Sequence, residues 1–316
     1  MKKTILVTGG AGFIGSALIQ RLRLDGHTVV CVDSINEYYD PSLKESRLKL
    51  FDNQVSIHRI DIAHKKALSE IFSKYQFDTV CHLAAQAGVR YSITNPEVYV
   101  HSNITGLFSV LECMKDHGVK KLVFASSSSV YGESEEVPFS ESQSADQPVS
   151  LYAATKRSGE LMAHAYHKIH GLNVTALRFF TVYGPYGRPD MAPMIFTEKI
   201  LKGEPIDVYN NGNMRRDFTY IDDIVEGFIQ AVNKPFEYEV INLGNGSPVQ
   251  LLDFIETLED LIGKKAEKNM LPMQLGDVPQ TYAKTSKAEK LLGFRAKTDI
   301  KKGLGEFLSW YKEYYQ

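Results

Sequence analysis

The stretch Val7-Thr8-Gly9-Gly10-Ala11-Gly12-Phe13-Ile14-Gly15 decides the fold of this chain. It follows a short apolar run, Thr4–Thr8, and leads into a segment with helical spacing of apolar residues. Gly9 has no side chain and permits a tight turn, while the bare backbone at Gly12 lets an anionic diphosphate reach N–H groups at a helix N-terminus. Gly15 allows that helix to pack closely on a sheet. The stretch therefore predicts a strand, a turn and a helix that together bind a dinucleotide.

Short β-branched runs alternate with longer helical patterns through residues 1–179. Each run is nearly continuous in apolar residues, as expected for strands that are buried on both faces. Strand–helix alternation of this kind predicts an α/β fold with a doubly wound parallel sheet of the Rossmann type. The predicted strands are Thr4–Thr8, Thr28–Asp33, Val55–Asp61, Thr79–Ala84, Lys121–Ser126 and Asn173–Phe179.

Asp33 closes the second predicted strand, at the place where a dinucleotide fold needs an acid. A carboxylate there accepts hydrogen bonds from the adenosine ribose hydroxyls and repels the 2′-phosphate of NADP. No arginine directly follows Asp33, so the sequence predicts NAD as the cofactor. Asp61 and Ile62 come at the end of the third predicted strand, where we expect a contact to the adenine.

The composition changes near Phe180, where the chain becomes rich in Pro, Gly and Asn as far as Arg216. Loops of this kind usually line binding sites rather than build cores. Leu251–Ile262 is amphipathic and predicts a helix of a second, smaller unit. We therefore expect an NAD-binding domain over 1–179, which also receives about 217–240, and a smaller α/β substrate-binding domain over 180–216 and 241–316.

Composition excludes several classes of partner. The formal net charge of −2 gives no general attraction to nucleic acid or to anionic membranes. No apolar run approaches the roughly 18 residues that a membrane-spanning helix needs. Three widely separated cysteines, Cys31, Cys81 and Cys113, predict buried free thiols in a reducing cytoplasm. Three histidines recur in steps of three that drift about 60° each around a helix, so no metal site is expected from His164, His167 and His170.

Tyr152-Ala153-Ala154-Thr155-Lys156 places a tyrosine and a lysine on one helical face. Among the 17 tyrosines of the chain, Tyr152 alone has a lysine four residues later. A phenol has an unperturbed pKa of about 10 and is a poor base at neutral pH. A neighbouring ammonium group and a positively charged nicotinamide would both favour the phenolate. The pair is therefore a candidate general base with its activating cation.

A run of serines, Ser126-Ser127-Ser128-Ser129, ends the fifth predicted strand. Ligands of parallel α/β sheets bind at the carboxyl ends of the strands. The hydroxyl groups are therefore placed to relay a proton or to bind a sugar hydroxyl.

Together, the glycine turn, the serine strand end and Tyr-x-x-x-Lys resemble the extended short-chain dehydrogenase/reductase family, whose members modify sugar nucleotides. The resemblance runs along essentially the whole chain. It implies that Tyr152 is the base at the sugar C4 hydroxyl, that Ser127 is its hydrogen-bond partner, and that Lys156 holds the nicotinamide ribose and lowers the tyrosine pKa. It also implies that the cofactor is lined by Leu83, Ala84, Ala85, Gln86 and Phe180.

Family members that eliminate water or carbon dioxide carry acids at the positions that match Ser128 and Ser129. This chain has serine at both positions. Because a C5 proton cannot be removed without a base, the serines argue against dehydration and favour oxidation and reduction at C4. The sequence therefore predicts an epimerase, in which NAD is reduced and reoxidised within one turnover.

Several strings are similar to UDP-glucuronate 4-epimerases in particular: Asp33–Asp40, Ala85–Ser92 with Arg90, Gly187–Ala192 with Arg188, and Gly276–Pro279. By this resemblance, Arg216 would bind the UDP diphosphate, Tyr209 would stack on uracil, and Asp277 would bind the nucleotide ribose. Thr181 stands where UDP-galactose epimerases usually have Asn, and Gln274 stands where they have Arg. Both departures agree with an acidic sugar.

Oxidation of UDP-glucuronate at C4 creates a ketone β to the C5 carboxylate, and such β-keto acids readily lose carbon dioxide. An epimerase must therefore hold the carboxylate where the breaking bond aligns poorly with the carbonyl. Neutral hydroxyls suit this task because several short hydrogen bonds fix an orientation. We predict a carboxylate cradle of Ser127, Ser128, Ser129 and Thr181, with Arg188 near the mouth.

Two other functions stay open at this point. The chain could be a 4-epimerase of a neutral UDP-hexose or UDP-N-acetylhexosamine, or a non-catalytic NAD-binding sensor. A sensor needs only the glycine turn, so the complete Ser–Tyr–Lys set argues against it. The family resemblance also implies a homodimer that pairs through the helix holding Tyr152 and its neighbour near Glu97–Lys115.

Overall fold

A computed structural model of the protein describes residues 2–134, 136–234, 236–274 and 276–316. Its strands, in chain order, are β1 Thr4–Thr8, β2 Thr28–Asp33, β3 Ser56–Arg59, β4 Thr79–His82, β5 Lys121–Ser127, β6 Asn173–Phe179, β7 Thr181–Tyr183, β8 Ile206–Val208, β9 Arg215–Arg216, β10 Phe218–Tyr220, β11 Tyr238–Leu243, β12 Val249–Gln250, β13 Lys268–Met270 and β14 Gln280–Thr281.

The helices alternate with these strands through most of the chain. They are α1 Phe13–Leu24, α2 Pro41–Lys49, α3 Lys65–Lys74, α4 Tyr91–Thr94, α5 Pro96–Tyr99, α6 Gly106–Asp116, α7 Leu151–His170, α8 Ala192–Lys202, α9 Ile221–Asn233, α10 Leu251–Ile262, α11 Ser286–Leu292 and α12 Ile300–Tyr315. A π-helical turn, Val100–Thr105, joins α5 to α6, and 3₁₀ turns occur at Asp52–Gln54, Ser128–Tyr131 and Tyr209–Gly212.

Seven strands form a central sheet in the order β3-β2-β1-β4-β5-β6-β11. Every neighbouring pair in this sheet is parallel. Successive side chains of β1 point to opposite faces, so Ile5 and Val7 join one apolar core while Leu6 joins the other. The direction of winding reverses between β1 and β4, which places the ligand crevice at the carboxyl ends of these strands. The predicted doubly wound parallel sheet is confirmed.

The predicted bounds of β1, β2 and β6 agree with the structure, and β5 runs one residue further, to Ser127. The third and fourth predicted strands are too long at their carboxyl ends. β3 ends before Asp61, whose carboxylate accepts from the Ala63 N–H at 2.8 Å and so turns the chain away from the sheet. Similarly, β4 ends at His82, and the segment 83–86 leaves the sheet to line a cavity.

Short strands outside the central sheet form three small groups: β7 with β10, β9 with β12 and β14, and β8 with β13. The predicted helix Leu251–Ile262 has the bounds of α10. β11 belongs to the central sheet although its residues cross the predicted boundary at 240/241. The division into two domains remains a prediction.

Cys31, Cys81 and Cys113 are buried free thiols. Within the described ranges, no helix is both long and apolar enough to cross a membrane.

Candidate active site

A cavity of about 960 Å³ opens at the carboxyl ends of the central strands. Every residue predicted to bind the cofactor lines it: Gly9, Gly12, Phe13, Ile14, Gly15, Asp33, Asp61, Ile62, Leu83, Ala84, Ala85, Gln86, Tyr152, Lys156 and Phe180. Ser127 and Arg188 line the same cavity. The structure therefore brings the glycine turn and the Ser–Tyr–Lys set to one surface.

The glycine turn fits the diphosphate of a dinucleotide. Gly9 has a φ of +73°, and a Cβ there would lie 2.5 Å from the Ala84 nitrogen. A Cβ at Gly15 would lie 2.1 Å from the Gly9 carbonyl oxygen. Gly12 begins helix α1 without a side-chain cap, so the first N–H groups of α1 are available to an anion.

Asp33 lies beside this turn and accepts two backbone hydrogen bonds, from Ala11 N–H at 3.0 Å and from Ile35 N–H at 2.9 Å. Burial raises the pKa of Asp33, while the Ile35 N–H and the charge of Lys44 act in the opposite direction. These bonds fix the carboxylate in the cavity wall, as recognition of ribose hydroxyls requires. At Asp61, burial also acts to raise the pKa. Hydrogen bonds from the Ala63 N–H and the His101 imidazole outweigh this effect and hold the Asp61 pKa below its usual value.

Helix α7 carries the candidate base. It begins after Ser150, whose hydroxyl accepts from the Ala153 N–H at 3.1 Å. One turn separates Tyr152 from Lys156, and both side chains line the cavity. The Lys156 ammonium donates to the Ala125 carbonyl at 2.8 Å, which ties α7 to the end of β5. Burial, with a smaller effect from the charge of Arg188, lowers the pKa of Lys156 to about 8.

The surroundings of Tyr152 affect the pKa of its phenol in opposite directions. Burial raises the pKa of the phenol, while hydrogen bonding with Ser127 and the positive charge of Arg188 lower it. The sequence interpretation gave this activating charge to Lys156. In the structure the ammonium of Lys156 donates to the Ala125 carbonyl, and the activation of Tyr152 by Lys156 stays a prediction.

Arg188 belongs to the loop between β7 and α8. Its Nε and Nη2 atoms donate to Asp190 at 3.0 and 2.5 Å, and the Tyr38 hydroxyl donates to the same carboxylate at 2.9 Å. The sequence interpretation placed Arg188 near the mouth of the site. In the structure Arg188 lines the larger cavity together with Tyr152 and Lys156, and its place relative to a bound sugar stays a prediction.

A second, smaller cavity of about 170 Å³ is lined by Ser128, Ser129, Thr181, Arg216 and Asp277. The predicted cradle is therefore divided between two cavities, since Ser127 and Arg188 line the larger one. The Ser127 hydroxyl donates to the Ser129 hydroxyl at 3.1 Å and links the two groups.

Arg216 and Asp277 form an ion pair of 2.6 Å in the wall of the smaller cavity. Arg216 also donates to the carbonyls of Val278 at 2.7 Å and Pro279 at 3.2 Å. Burial lowers the pKa of Arg216, and the pair with Asp277 opposes that effect. The guanidinium is thus held in place by the loop that carries Asp277.

Three predicted substrate residues line neither cavity: Arg90, Tyr209 and Gln274. The Arg90 guanidinium lies over the Tyr209 ring, 5.1 Å from its centroid. The Gln274 side-chain oxygen is buried and has no hydrogen-bond partner among the residues described. The structure therefore brings Arg90 and Tyr209 together but not into the reacting end of the site.

Sequence reasoning missed several residues of the site. Tyr38 belongs to a string quoted for its resemblance, yet its bond to Asp190 depends on the folded chain. Lys44 and His101 line the larger cavity from helices that carry no local motif. Beneath the serines, Glu160 of α7 accepts from Ser126 at 2.7 Å and from Arg178 at 2.7 and 2.8 Å. The only sequence signal for this buried network was the position of Glu160 on the Tyr152 helix.

Comparison with known proteins identifies the family. A model described as the NAD dependent epimerase/dehydratase family matches residues 5–244. The chain belongs to this family. The predicted family and the predicted cofactor, NAD, are confirmed.

Several members of the NAD-dependent epimerase/dehydratase family resemble the chain over nearly its full length. UDP-glucuronate 4-epimerase 4 of Arabidopsis thaliana is 47% identical, over 99% of this chain and 76% of the relative. The structure of UDP-glucuronic acid 4-epimerase from Bacillus cereus, in complex with UDP-glucuronic acid and NAD, has a TM-score of 0.93 at 37% identity and covers 99% of this chain and 100% of that one. UDP-glucose 4-epimerase from Thermotoga maritima, with UDP-glucose, has a TM-score of 0.92 at 31% identity, covering 99% and 100%.

Proposed function

We propose that this protein is a UDP-sugar 4-epimerase that interconverts UDP-glucuronate and UDP-galacturonate through a transient 4-keto sugar. The observation that carries the proposal is the place of the Arg188 cation, which lines the same larger cavity as Tyr152 and Lys156. A sugar carboxylate beside the reacting carbon provides the negative charge that such a cation attracts. The identity with plant UDP-glucuronate 4-epimerases supports the same substrate.

Tyr152, Ser127 and Lys156 supply the proton chemistry in this proposal. Tyr152 removes the proton of the C4 hydroxyl and returns it after the ring has turned over. Ser127 hydrogen-bonds the phenol, and the charge of Arg188 favours the phenolate. Lys156 is held by the Ala125 carbonyl and would bind the nicotinamide ribose of NAD. When bound, NAD supplies the acceptor and later the donor of a hydride at C4.

The serine positions restrict the outcome to epimerisation. Ser128 and Ser129 line the smaller cavity beside Thr181, and they offer hydroxyls where elimination needs a carboxylate. We propose that these three residues, with Ser127 and Arg188, hold the sugar carboxylate out of alignment with the 4-keto group. Arg216 and Asp277, in the wall of the smaller cavity, would then bind the diphosphate and the nucleotide ribose.

A panel of UDP-sugars tests the proposal directly. Purified protein is incubated with UDP-glucuronate, UDP-glucose or UDP-N-acetylglucosamine, without added cofactor, and the products are identified by NMR. We expect UDP-galacturonate from UDP-glucuronate, with no steady accumulation of reduced cofactor. Conversion of neutral sugars alone would replace the acidic substrate with a neutral one. Tight NAD binding without turnover of any UDP-sugar would favour the sensor.

The neutral-sugar alternative has one observation in its favour, the similarity to UDP-glucose 4-epimerase of Thermotoga maritima. Arg188 favours the acidic sugar instead, because a sugar carboxylate is able to compete with Asp190 for the guanidinium, whereas a neutral sugar has no charge with which to do so. The ratio of kcat/KM for UDP-glucuronate to that for UDP-glucose separates the two functions, since epimerases of neutral sugars would give a ratio below one.

We also propose that two copies pair through α6, α7 and the segment before α6. Large apolar side chains on these elements are exposed, including Phe108 at 45% and Leu161 at 54%. Exposed apolar groups of this kind mark interaction surfaces when they are contiguous. Sedimentation of the protein and of a Phe108→Glu, Leu161→Glu variant tests this: we expect a dimer that the double variant dissociates. A monomeric parent protein would contradict the pairing.

We also propose that the protein is located in the cytoplasm. Buried free thiols at Cys31, Cys81 and Cys113 suit a reducing compartment. Fractionation of the source cells would locate the protein, and recovery from an oxidising compartment would contradict this assignment.

A further inference from the structure

Arg47 is a fully buried cation outside the chemistry described above. It lies on α2 and has no exposed surface. Burial of a charge is expensive unless every donor finds an acceptor. Its five hydrogen bonds all go to neutral oxygens, and none of these partners in the described part of the chain is a carboxylate. A buried arginine whose direct hydrogen-bond partners are all neutral requires an explanation beyond packing.

The contacts of Arg47 join two parts of the site that are distant in sequence. On one side, Nη1 donates to the Ala11 carbonyl at 3.1 Å, within the glycine turn, and to the Tyr39 hydroxyl at 2.5 Å. On the other side, Nε and Nη2 donate to the Tyr186 carbonyl at 3.1 and 2.7 Å, and Nη2 also reaches the Gly187 carbonyl at 3.2 Å. The rigid guanidinium fork therefore fixes the distance between the turn and this loop.

The glycine-turn side of this bridge faces the cofactor site. Ala11 stands between Gly9 and Gly12, and its N–H donates to Asp33 at 3.0 Å. Burial raises the pKa of Asp33, and the positive charge of Arg47 is one of the smaller effects that oppose this rise. A buried cation behind the turn also favours a second anion in front of it, because a buried charge is weakly screened. The diphosphate of NAD is the anion that the turn fits.

The other side of the bridge positions Arg188. Gly187 directly precedes it, and Tyr186 has a left-handed φ of +60° that the two bonds from Arg47 hold in place. The bond from Tyr38 to Asp190 fixes the far end of the same loop. Displacement of the Tyr186 and Gly187 carbonyls would therefore move the guanidinium that lies near Tyr152.

We propose that Arg47 is a positioning residue that ties the glycine turn to the loop bearing Arg188, so that one side chain supports both NAD affinity and selection of the acidic sugar. The part that concerns the sugar rests on the proposed function. The part that concerns NAD does not, and it can be tested without any sugar.

The experiment compares Arg47→Met, Arg47→Lys and a control, Arg21→Met, by titration calorimetry: NAD is titrated into protein from which bound nucleotide has been removed, and UDP-glucuronate and UDP-glucose are titrated into the NAD-bound protein. Arg21 is a half-exposed arginine of α1 that pairs with Asp25 and Glu226. For Arg47→Met we expect the dissociation constant of NAD to rise by about tenfold, the scale of one charge-assisted hydrogen bond. UDP-glucuronate should lose several times more affinity than UDP-glucose, because only the acidic sugar contacts Arg188.

Arg47→Lys separates charge from geometry. A lysine keeps the positive charge but cannot reach both carbonyl groups with one ammonium. It should therefore restore most of the NAD affinity and little of the preference for the acidic sugar. If Arg47→Met does not fold, the lysine variant still tests the proposal, since unchanged sugar preference in that variant contradicts it.

Other outcomes also decide the matter. Unchanged NAD affinity in Arg47→Met would overturn the coupling. Equal losses of affinity for UDP-glucuronate and UDP-glucose, together with a lower melting temperature, would show that Arg47 only stabilises the fold. If the unmodified protein shows no preference for UDP-glucuronate, the proposed function fails, while the NAD titration still reports on Arg47.

Discussion

The two ends of the active site are built in different ways. Around the cofactor, the wall includes the glycine turn, the ends of parallel strands and the N-terminus of α1, beside side chains such as Asp33. At the sugar-nucleotide end, the wall consists of side chains that bind one another, as in the Arg188–Asp190 and Arg216–Asp277 ion pairs. At the cofactor end, the backbone groups are in place without a ligand. At the sugar-nucleotide end, a ligand that carries phosphate or carboxylate groups must compete with Asp190 for Arg188 and with Asp277 for Arg216.

The largest expected effect lies where the two ends meet. Tyr152→Phe should lower kcat by about 10²-fold or more, because it removes the proposed general base. NAD should stay bound, since the glycine turn and Asp33 at the cofactor end are unchanged in this variant. Turnover is measured with UDP-glucuronate and bound nucleotide by release on denaturation. Tyr166→Phe is the matched control, because Tyr166 lies on the same helix and bonds to Glu112 at 2.7 Å. Near-normal activity of Tyr152→Phe would remove the tyrosine from the mechanism.

The next largest effect tests the cofactor end alone. Asp33→Asn should weaken NAD binding by about tenfold or more, the scale of a lost hydrogen bond to a charged group. It should also narrow the preference for NAD over NADP, because the carboxylate no longer repels a 2′-phosphate. Titration with both cofactors measures this. Asp25→Asn serves as the control, since Asp25 pairs with Arg21 on the surface. Weaker binding of UDP at the same time would contradict the separation of the two ends.

All the predicted cofactor residues line one cavity, whereas the predicted sugar-nucleotide residues are divided between two cavities and positions outside them, and this difference has a physical reason. Turns and strand ends depend on short stretches, so the glycine turn and Asp33 could be located from local pattern alone. Tyr38–Asp190 and Arg47–Tyr186 join residues far apart in the chain, and no local pattern encodes such pairs.

A third prediction addresses the sugar-nucleotide end. Arg216→Met should raise the dissociation constant of UDP by about tenfold, because a phosphate contact from a cation is lost. NAD affinity should not change. Arg215→Met is the matched control. Arg215 is the neighbouring arginine, and its guanidinium donates to the Gln250 side chain at 2.9 Å instead of pairing with Asp277. If both variants bind UDP like the parent protein, Arg216 does not hold the diphosphate.

The smallest effect concerns the hydroxyls that join the two cavities. Ser128→Ala or Thr181→Ala should hold the sugar carboxylate less firmly. Some of the 4-keto intermediate would then lose carbon dioxide and be released as UDP-4-keto-pentose, or KM would rise more for UDP-glucuronate than for UDP-glucose. A shift of a few-fold is expected, since each variant removes about one neutral hydrogen bond. Product NMR measures the partition. Unchanged partition and selectivity would exclude the cradle and leave Arg188 as the next residue to test.

The position of β11 has a consequence for synthesis of the protein. This strand is parallel to β6 and completes one edge of the central sheet, yet it lies about sixty residues later in the chain. A nascent chain that has emerged only as far as Phe179 exposes the long, apolar β6 as an unpaired edge, which is a template for aggregation. Expression of the first 179 residues as a separate fragment should therefore give insoluble material, and supply of 217–244 in the same polypeptide should restore solubility.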